Sequence, residues 1–147
     1  MIRVSDVLAA LFDAAPAYMK MEWDNVGLLC GRRTAAVTRV MVALDPMPDV
    51  FAEAKAHGCE LIVTHHPLIF QPVRAVSDES LTGENLLWLI ENGIAAVNLH
   101  TNLDCAPGGV NDILAKTLGL TDVSVLDPVG QDTQGRDYGL IRTGTVA

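Results

Sequence analysis

Short apolar runs alternate with helical segments along the chain, and this order limits the possible folds more than any other feature of the sequence. The alternating elements are a strand over residues 39–44, a helix over 47–56, a strand over 59–64, a helix over 80–91, a strand over 94–99 and a helix over 110–118. Nearly continuous apolar strands joined by helices are typical of a mostly parallel sheet covered by helices on both faces. We therefore predict an α/β fold, with residues 1–147 forming a single domain.

Candidate metal ligands lie just beyond the predicted strands. Asp45 follows the first strand, His65 and His66 follow the second, and the segment from His100 to Asp104 follows the third. Right-handed crossovers place the carboxyl ends of parallel strands on one side of the sheet, where open α/β sheets bind their ligands. The sequence therefore predicts a metal site in a crevice on that side.

The adjacent histidines are the strongest single indication of metal binding. In a continuous strand His65 and His66 would point to opposite faces of the sheet. Pro67 disfavours continuation of the strand, so both rings can converge from a turn. A lone histidine at a strand end is more often a structural residue, but an adjacent pair together with a His-x-x-x-Asp segment favours a metal site. Imidazole ligands suit zinc, iron, nickel or copper, and a carboxylate extends the choice to manganese and magnesium.

Other residues have structural roles that compete with chemical ones. Asp104 is equally consistent with a turn-forming carboxylate and with a metal ligand. Asp45 before Pro46 favours a helix N-cap with proline at the first helical position. His57 is predicted to interact with a helix C-terminus, and the Gly108-Gly109 pair before a helix gives a weak indication of a phosphate site.

Composition excludes several classes of function. The net charge of -8, with only ten scattered Lys and Arg residues, argues against a nucleic-acid partner. Three cysteines without paired spacing suit a reducing compartment. No run is long and apolar enough for a membrane span, and the N-terminus lacks the apolar core of a signal peptide. We expect a cytoplasmic protein without a membrane partner.

The remaining segments are predicted more coarsely. A helix capped by Ser5 ends before Pro16, and residues 23–31 are an irregular segment. Residues 138–146 alternate like a strand that runs up to the end of the sequence. Because domains seldom finish in this way, we expect that a further part is missing.

Four motifs in a fixed order resemble the GTP cyclohydrolase I type 2 homologues, also called the NIF-three-like family of dinuclear metal proteins. The resemblance extends over nearly the whole chain, and the combination of motifs is highly specific although each alone is weak. The motifs are Trp23-Asp24-Asn25-Val26-Gly27-Leu28, Thr64-His65-His66-Pro67-Leu68, His100-Thr101-Asn102-Leu103-Asp104 and Gly108-Gly109-Val110-Asn111-Asp112.

The resemblance implies two similar halves around a pair of divalent metal ions, zinc, iron or manganese, in a toroidal homo-hexamer. It makes His65, His66 and Asp104 metal ligands. His100 matches a residue that lines the pocket, and we assign it a possible catalytic role as proton carrier. Asn25, Gly108 and Gly109 are predicted to line the same pocket.

The chain also departs from the family pattern. Family members are longer, and their remaining ligands, a His and a Glu, lie near a C-terminus that has no counterpart here. No residue after Asp137 could replace them. The chain therefore resembles the N-terminal half of the family, and three ligands would hold two ions loosely or hold one ion only.

Two functions are consistent with these observations. The first is a metal-dependent hydrolase that acts on a small phosphorylated or nucleotide substrate, with GTP ring opening as the concrete case. The second is a metal-binding chaperone or regulatory interaction protein without turnover. The sequence alone does not choose between them.

Overall fold

Four strands form the central sheet: β1 (Gly27–Cys30), β2 (Val40–Ala43), β3 (Leu61–Thr64) and β4 (Ala95–Asn98). Their order is β1-β4-β3-β2, with β2, β3 and β4 parallel and β1 antiparallel to β4. The predicted mostly parallel α/β sheet is confirmed. The prediction of an irregular segment at 23–31 is wrong for its second half, because a four-residue strand without polar alternation carries no signal of its own.

The computed structural model describes residues 1–146, which fall into two compact units. The first unit comprises Met1–Leu11 and Asn25–Leu99 and contains the central sheet. The second comprises Phe12–Asp24 and the chain from His100 onward. No helix within the described residues is long and apolar enough to cross a bilayer.

Helices α2 (Pro48–Ala56) and α3 (Leu81–Glu91) enclose the main apolar core of the first unit. Strands β3 and β4 are buried along their whole length, which explains why both appear as continuous apolar runs. Side chains from the two helices and the sheet form one cluster, which includes Phe51, Ala54, Ile62, Leu86, Leu89 and Ala96.

The first helix, α1 (Val4–Ala14), begins two residues earlier than a cap at Ser5 predicts. The capping role predicted for Ser5 is wrong, because Ser5 lies inside the helix. The carboxylate of Asp6 instead accepts a hydrogen bond of 2.8 Å from the N–H of Arg3. An aspartate in the first turn also interacts favourably with the helix dipole.

The second unit contains a 3₁₀ turn, Ala17–Met19, two helices and two small antiparallel sheets. The predicted strand over 138–146 is divided into the end of β7 and β8. The interruption includes Gly139, where a Cβ would lie 2.5 Å from the carbonyl oxygen of Asp127. The elements are α4 (Thr101–Cys105), α5 (Val110–Thr117), β5 (Thr121–Val125), β6 (Gly130–Gln131), β7 (Asp137–Tyr138) and β8 (Arg142–Thr145).

One carboxylate ties the start of β2 to the start of β3. Glu60 accepts hydrogen bonds from the N–H groups of Thr38 (2.9 Å) and Arg39 (3.0 Å) and from the Thr38 hydroxyl (2.8 Å). These donors favour the charged form and lower the pKa of Glu60 to about 2. The register of the first parallel pair therefore depends partly on an ionised side chain.

We expect Glu60→Gln to lower the free energy of unfolding at neutral pH. The contribution of Glu60 is fully present above the ordinary pKa of 4.5 and is lost as the pH falls through about 2, because the folded-state pKa is depressed. Urea unfolding of both proteins over this pH range should show the difference shrinking at acid pH. Glu91→Gln, at an exposed position at the end of α3, is the control. A difference that does not change with pH would contradict the assignment.

Candidate metal centre

The backbone carries His65 and His66 just past the end of β3. The N–H of His65 donates to the carbonyl of Ala43 (3.3 Å) and that of His66 to the carbonyl of Leu44 (3.0 Å), before Pro67 ends the pairing. The two rings lie with their centroids 5.0 Å apart, and each offers a ligand nitrogen within 4.8 Å of the other. The turn therefore brings adjacent side chains to one place, which a regular strand would not do.

A backbone carbonyl fixes the ring of His65. Its Nδ1 lies 3.0 Å from the carbonyl oxygen of Leu99, just past the end of β4. A carbonyl only accepts, so Nδ1 carries the proton and the lone pair is on Nε2. This is the form in which an imidazole binds a metal.

A carboxylate fixes the ring of His66. Its Nδ1 lies 2.6 Å from Oδ1 of Asp45. The prediction that Asp45 is an N-cap is wrong: α2 begins at Pro48, and Met47 is its N-cap. Pro46 and Met47 separate Asp45 from the first residue of α2. The Asp45 side chain therefore contacts His66 instead of capping the helix.

His100 belongs to the second unit and is paired with a buried carboxylate. Its Nδ1 lies 2.9 Å from Oδ1 of Asp24, a side chain with no solvent exposure. Oδ2 of Asp24 accepts from the N–H of Thr101 (3.0 Å) and from the Thr101 hydroxyl. These donors satisfy a charge that burial would otherwise make costly. The Trp23 ring also packs against the His100 ring in a T-shaped arrangement, with centroids 6.4 Å apart.

Asp24 is the functional candidate that the sequence interpretation missed. It stands inside the first family motif, beside the predicted Asn25, but its type and spacing alone did not distinguish it from a surface aspartate. Its partners lie 76 and 77 positions away in the chain. The only available signal was its place in the motif.

Asp104 lies in helix α4. Its N–H donates to the carbonyl of His100 (3.1 Å), so the His-x-x-x-Asp spacing corresponds to one helical turn. The role of Asp104 as a metal ligand stays a prediction.

The predicted pocket residues have identifiable structural roles. Asn25 donates from Nδ2 to the carbonyl of Ile69 (2.7 Å), in the loop that follows the histidine pair. Gly109 allows close packing, since a Cβ there would lie 1.8 Å from the carbonyl oxygen of Leu103. Gly108 has φ of +74° and donates its N–H to the carboxylate of Asp112 (2.7 Å). This contact engages the Gly108 N–H, which the predicted phosphate site would need. A pocket role for Asn25, Gly108 and Gly109 stays a prediction.

Strand β4 ends at Asn98, whose buried side-chain amide forms a hydrogen bond with the backbone of the first motif. Asn98 has no solvent exposure and donates from Nδ2 to the carbonyl of Asn25 (3.0 Å). Within residues 1–146, its Oδ1 has no hydrogen-bond donor. A buried acceptor of this kind costs free energy unless a water or ligand donates to it.

Comparison with known proteins places the chain in a family. Residues 2–147 match the family model described as Duf34/NIF3 (NGG1p interacting factor 3). The chain therefore belongs to the Duf34/NIF3 family, as the four motifs predict. The GTP cyclohydrolase 1 type 2 homolog of Clostridium perfringens is 36% identical over 99% of this chain and 56% of its own length. The homolog of Streptomyces coelicolor is 40% identical over 92% of this chain and 48% of its own length. The chain thus spans about half the length of these relatives.

Solved structures agree with this assignment. A Bacillus cereus protein related to NIF3 superposes with a TM-score of 0.82, at 37% identity, over 88% of this chain and 36% of that protein. Reduced HcgD from Methanocaldococcus jannaschii superposes with a TM-score of 0.79, at 31% identity, over 86% of this chain and 50% of that protein. The fold described above is therefore one lobe of the family architecture.

Asp24→Ala is expected to destabilise the protein by about 3 kcal/mol, because it leaves the buried donors of His100 and Thr101 without their acceptor. Urea unfolding at neutral pH measures this loss. Asp13→Ala removes an exposed carboxylate from the same unit and should change the free energy of unfolding by less than about 0.5 kcal/mol. Equal effects of the two substitutions would contradict the role assigned to Asp24.

Proposed function

We propose that this protein binds divalent metal ions through His65, His66 and Asp104 and acts as a metal-dependent hydrolase. One observation carries the proposal: His65, His66 and His100 each have Nδ1 held by an oxygen acceptor, namely a carbonyl, Asp45 and Asp24. Metal-binding histidines typically have this arrangement, which fixes the tautomer and the ring orientation.

The donor set fits a transition metal. Imidazole nitrogens with one carboxylate are suited to zinc, iron or manganese. The carboxylates of Asp45 and Asp24 hold the rings that they contact in one orientation. The family resemblance adds Asp104 as a ligand and a second metal ion. His100 directly follows Leu99 in the chain, and the carbonyl of Leu99 accepts the hydrogen bond from His65.

His100 is suited to moving a proton. Asp24 holds its Nδ1–H, so Nε2 can accept a proton, and the buried carboxylate would stabilise the imidazolium that results. A bound divalent ion would lower the pKa of water and polarise the bond under attack. In this proposal, His65, His66 and Asp104 bind the metal, and His100 transfers the proton.

The substrate that we propose is a small phosphorylated or nucleotide-like molecule. The support is the name shared by the relatives, GTP cyclohydrolase 1 type 2 homolog, together with the family's motifs in this chain. The cytoplasm as location and a toroidal homo-hexamer as assembly belong to the same proposal.

Metal affinity provides the first test. Asp45→Ala should weaken binding of Zn²⁺ or Mn²⁺ about 10- to 100-fold, because it releases the His66 ring without removing a ligand. His65→Ala, which removes a ligand nitrogen, should weaken it further. Isothermal titration calorimetry with each metal measures both effects.

The control is His57→Ala. His57 is an exposed histidine that follows α2 as its C-cap, and its Nε2 lies 3.9 Å from Oε1 of Glu53. This variant should bind metal as the unsubstituted protein does. Unchanged affinity in folded His65→Ala, as judged by circular dichroism, would contradict the metal site.

Turnover provides the second test. Metal-loaded protein should hydrolyse GTP or a member of a phosphoester panel, and His100→Ala should lower kcat while it retains bound metal. The proton-carrier role predicts a loss of about 10²- to 10⁴-fold. Stoichiometric metal binding without turnover of any substrate in the panel would contradict the hydrolase and favour the metal-delivery or regulatory function.

A further inference from the structure

Trp23 is a large aromatic residue that stays exposed beside His100. It is 58% exposed, although its ring packs against the His100 ring with centroids 6.4 Å apart. Tryptophan is highly buried on average, because its ring carries a large apolar surface. An exposed indole next to the proposed proton carrier can therefore be covered by a bound molecule.

The second tryptophan of the chain, Trp88, has a structural role. Its ring stacks on that of Phe51, with centroids 5.9 Å apart, and packs against the main apolar core. The ammonium of Lys55 lies 5.7 Å from the centre of the same ring. Trp88 thus has the contacts of a packing residue, whereas most of the Trp23 surface is left to the solvent.

The turn that carries Trp23 is fixed by hydrogen bonds within the second unit. The Lys20 ammonium donates to the carbonyls of Met21 (3.3 Å) and Asp24 (2.8 Å). The N–H of Asp24 donates to the carbonyl of Met21 (3.0 Å), and the N–H of Met21 donates to the Thr101 hydroxyl (2.9 Å). Because the backbone is already ordered, a ligand that covers the ring pays little conformational entropy.

We propose that Trp23 is a stacking platform for the base of a nucleotide and selects nucleotides over phosphoesters that have no base. Aromatic side chains bind bases by stacking, and the interaction is open to any base because each has a π-face. The proposal rests on the function proposed above, since it places the base of the substrate beside His100. It narrows the substrate class to molecules with a planar heterocycle.

Tryptophan fluorescence tests the contact directly. Trp88→Phe leaves Trp23 as the only tryptophan of the chain, so its emission reports on a stacked base. GTP added to this Zn²⁺-loaded variant should quench the emission in a saturable way, after correction against free N-acetyltryptophanamide. Inorganic triphosphate, which has no base, should not quench it.

Trp23→Phe is the matched variant, because it retains Trp88 alone. Its emission should show no saturable quenching by GTP, since Trp88 lies against the core. Absence of quenching in folded Trp88→Phe, or equal quenching by GTP and triphosphate, would overturn the proposal.

Affinity provides the second measurement. Trp23→Ala should raise the Kd of GTP about 5- to 150-fold, the range for loss of one stacked base, and should leave the Kd of inorganic triphosphate unchanged. Isothermal titration calorimetry measures both, and circular dichroism checks the fold. Equal losses for GTP and triphosphate would place the effect on the metal centre and would overturn the stacking role.

Turnover separates this proposal from the one on which it rests. Saturable quenching by GTP without hydrolysis would contradict the hydrolase and support the stacking role of Trp23. Hydrolysis of GTP with the same kcat/KM in Trp23→Ala as in the unsubstituted protein would support the hydrolase and overturn the stacking role.

Discussion

The candidate metal ligands His65 and His66 depend on hydrogen bonds to their Nδ1 atoms. Each bond settles which nitrogen carries the proton and therefore which nitrogen can donate a lone pair to a metal. The acceptors differ in kind: a main-chain carbonyl for His65 and a half-exposed carboxylate for His66. The first follows from the backbone alone, whereas the second requires a particular side chain, Asp45, which can be altered without removing a ligand.

The central sheet supplies the backbone part of this arrangement. Parallel pairing of β3 with β2 and β4 places the residues after Thr64 beside Ala43 on one side and beside Leu99 on the other. The hydrogen bond from the N–H of Leu99 to the carbonyl of Thr64 (3.0 Å) extends the β3–β4 pairing past the end of both strands. The carbonyl of Leu99 is then within reach of the His65 ring. Both central strands are buried along their whole length, so a change of register would require the core around them to repack.

The central strands and the edge strand of the sheet differ in burial. Strands β3 and β4 are buried along their whole length. Strand β2 alternates between exposed and half-buried residues, and its exposed side chains, Val40 and Val42, are apolar. Scattered exposed apolar residues are normal on protein surfaces.

The pattern of apolar residues along the chain was enough to predict the strand–helix alternation, the parallel central sheet and the ends of the strands at the histidines. The four motifs were enough to predict the family. These features depend on periodicity and on residues close together in the chain. Antiparallel β1, the helical form of the segment around Asp104 and the partners of the histidines were decided by the tertiary structure. Asp24 illustrates the reason: a carboxylate becomes a buried hydrogen-bond acceptor only when His100 and Thr101, some 76 residues away, are brought to it by the fold. Local sequence carries no information about such a contact, and the same limit applied to Asp45, whose local context indicated a helix cap until His66 was placed beside it.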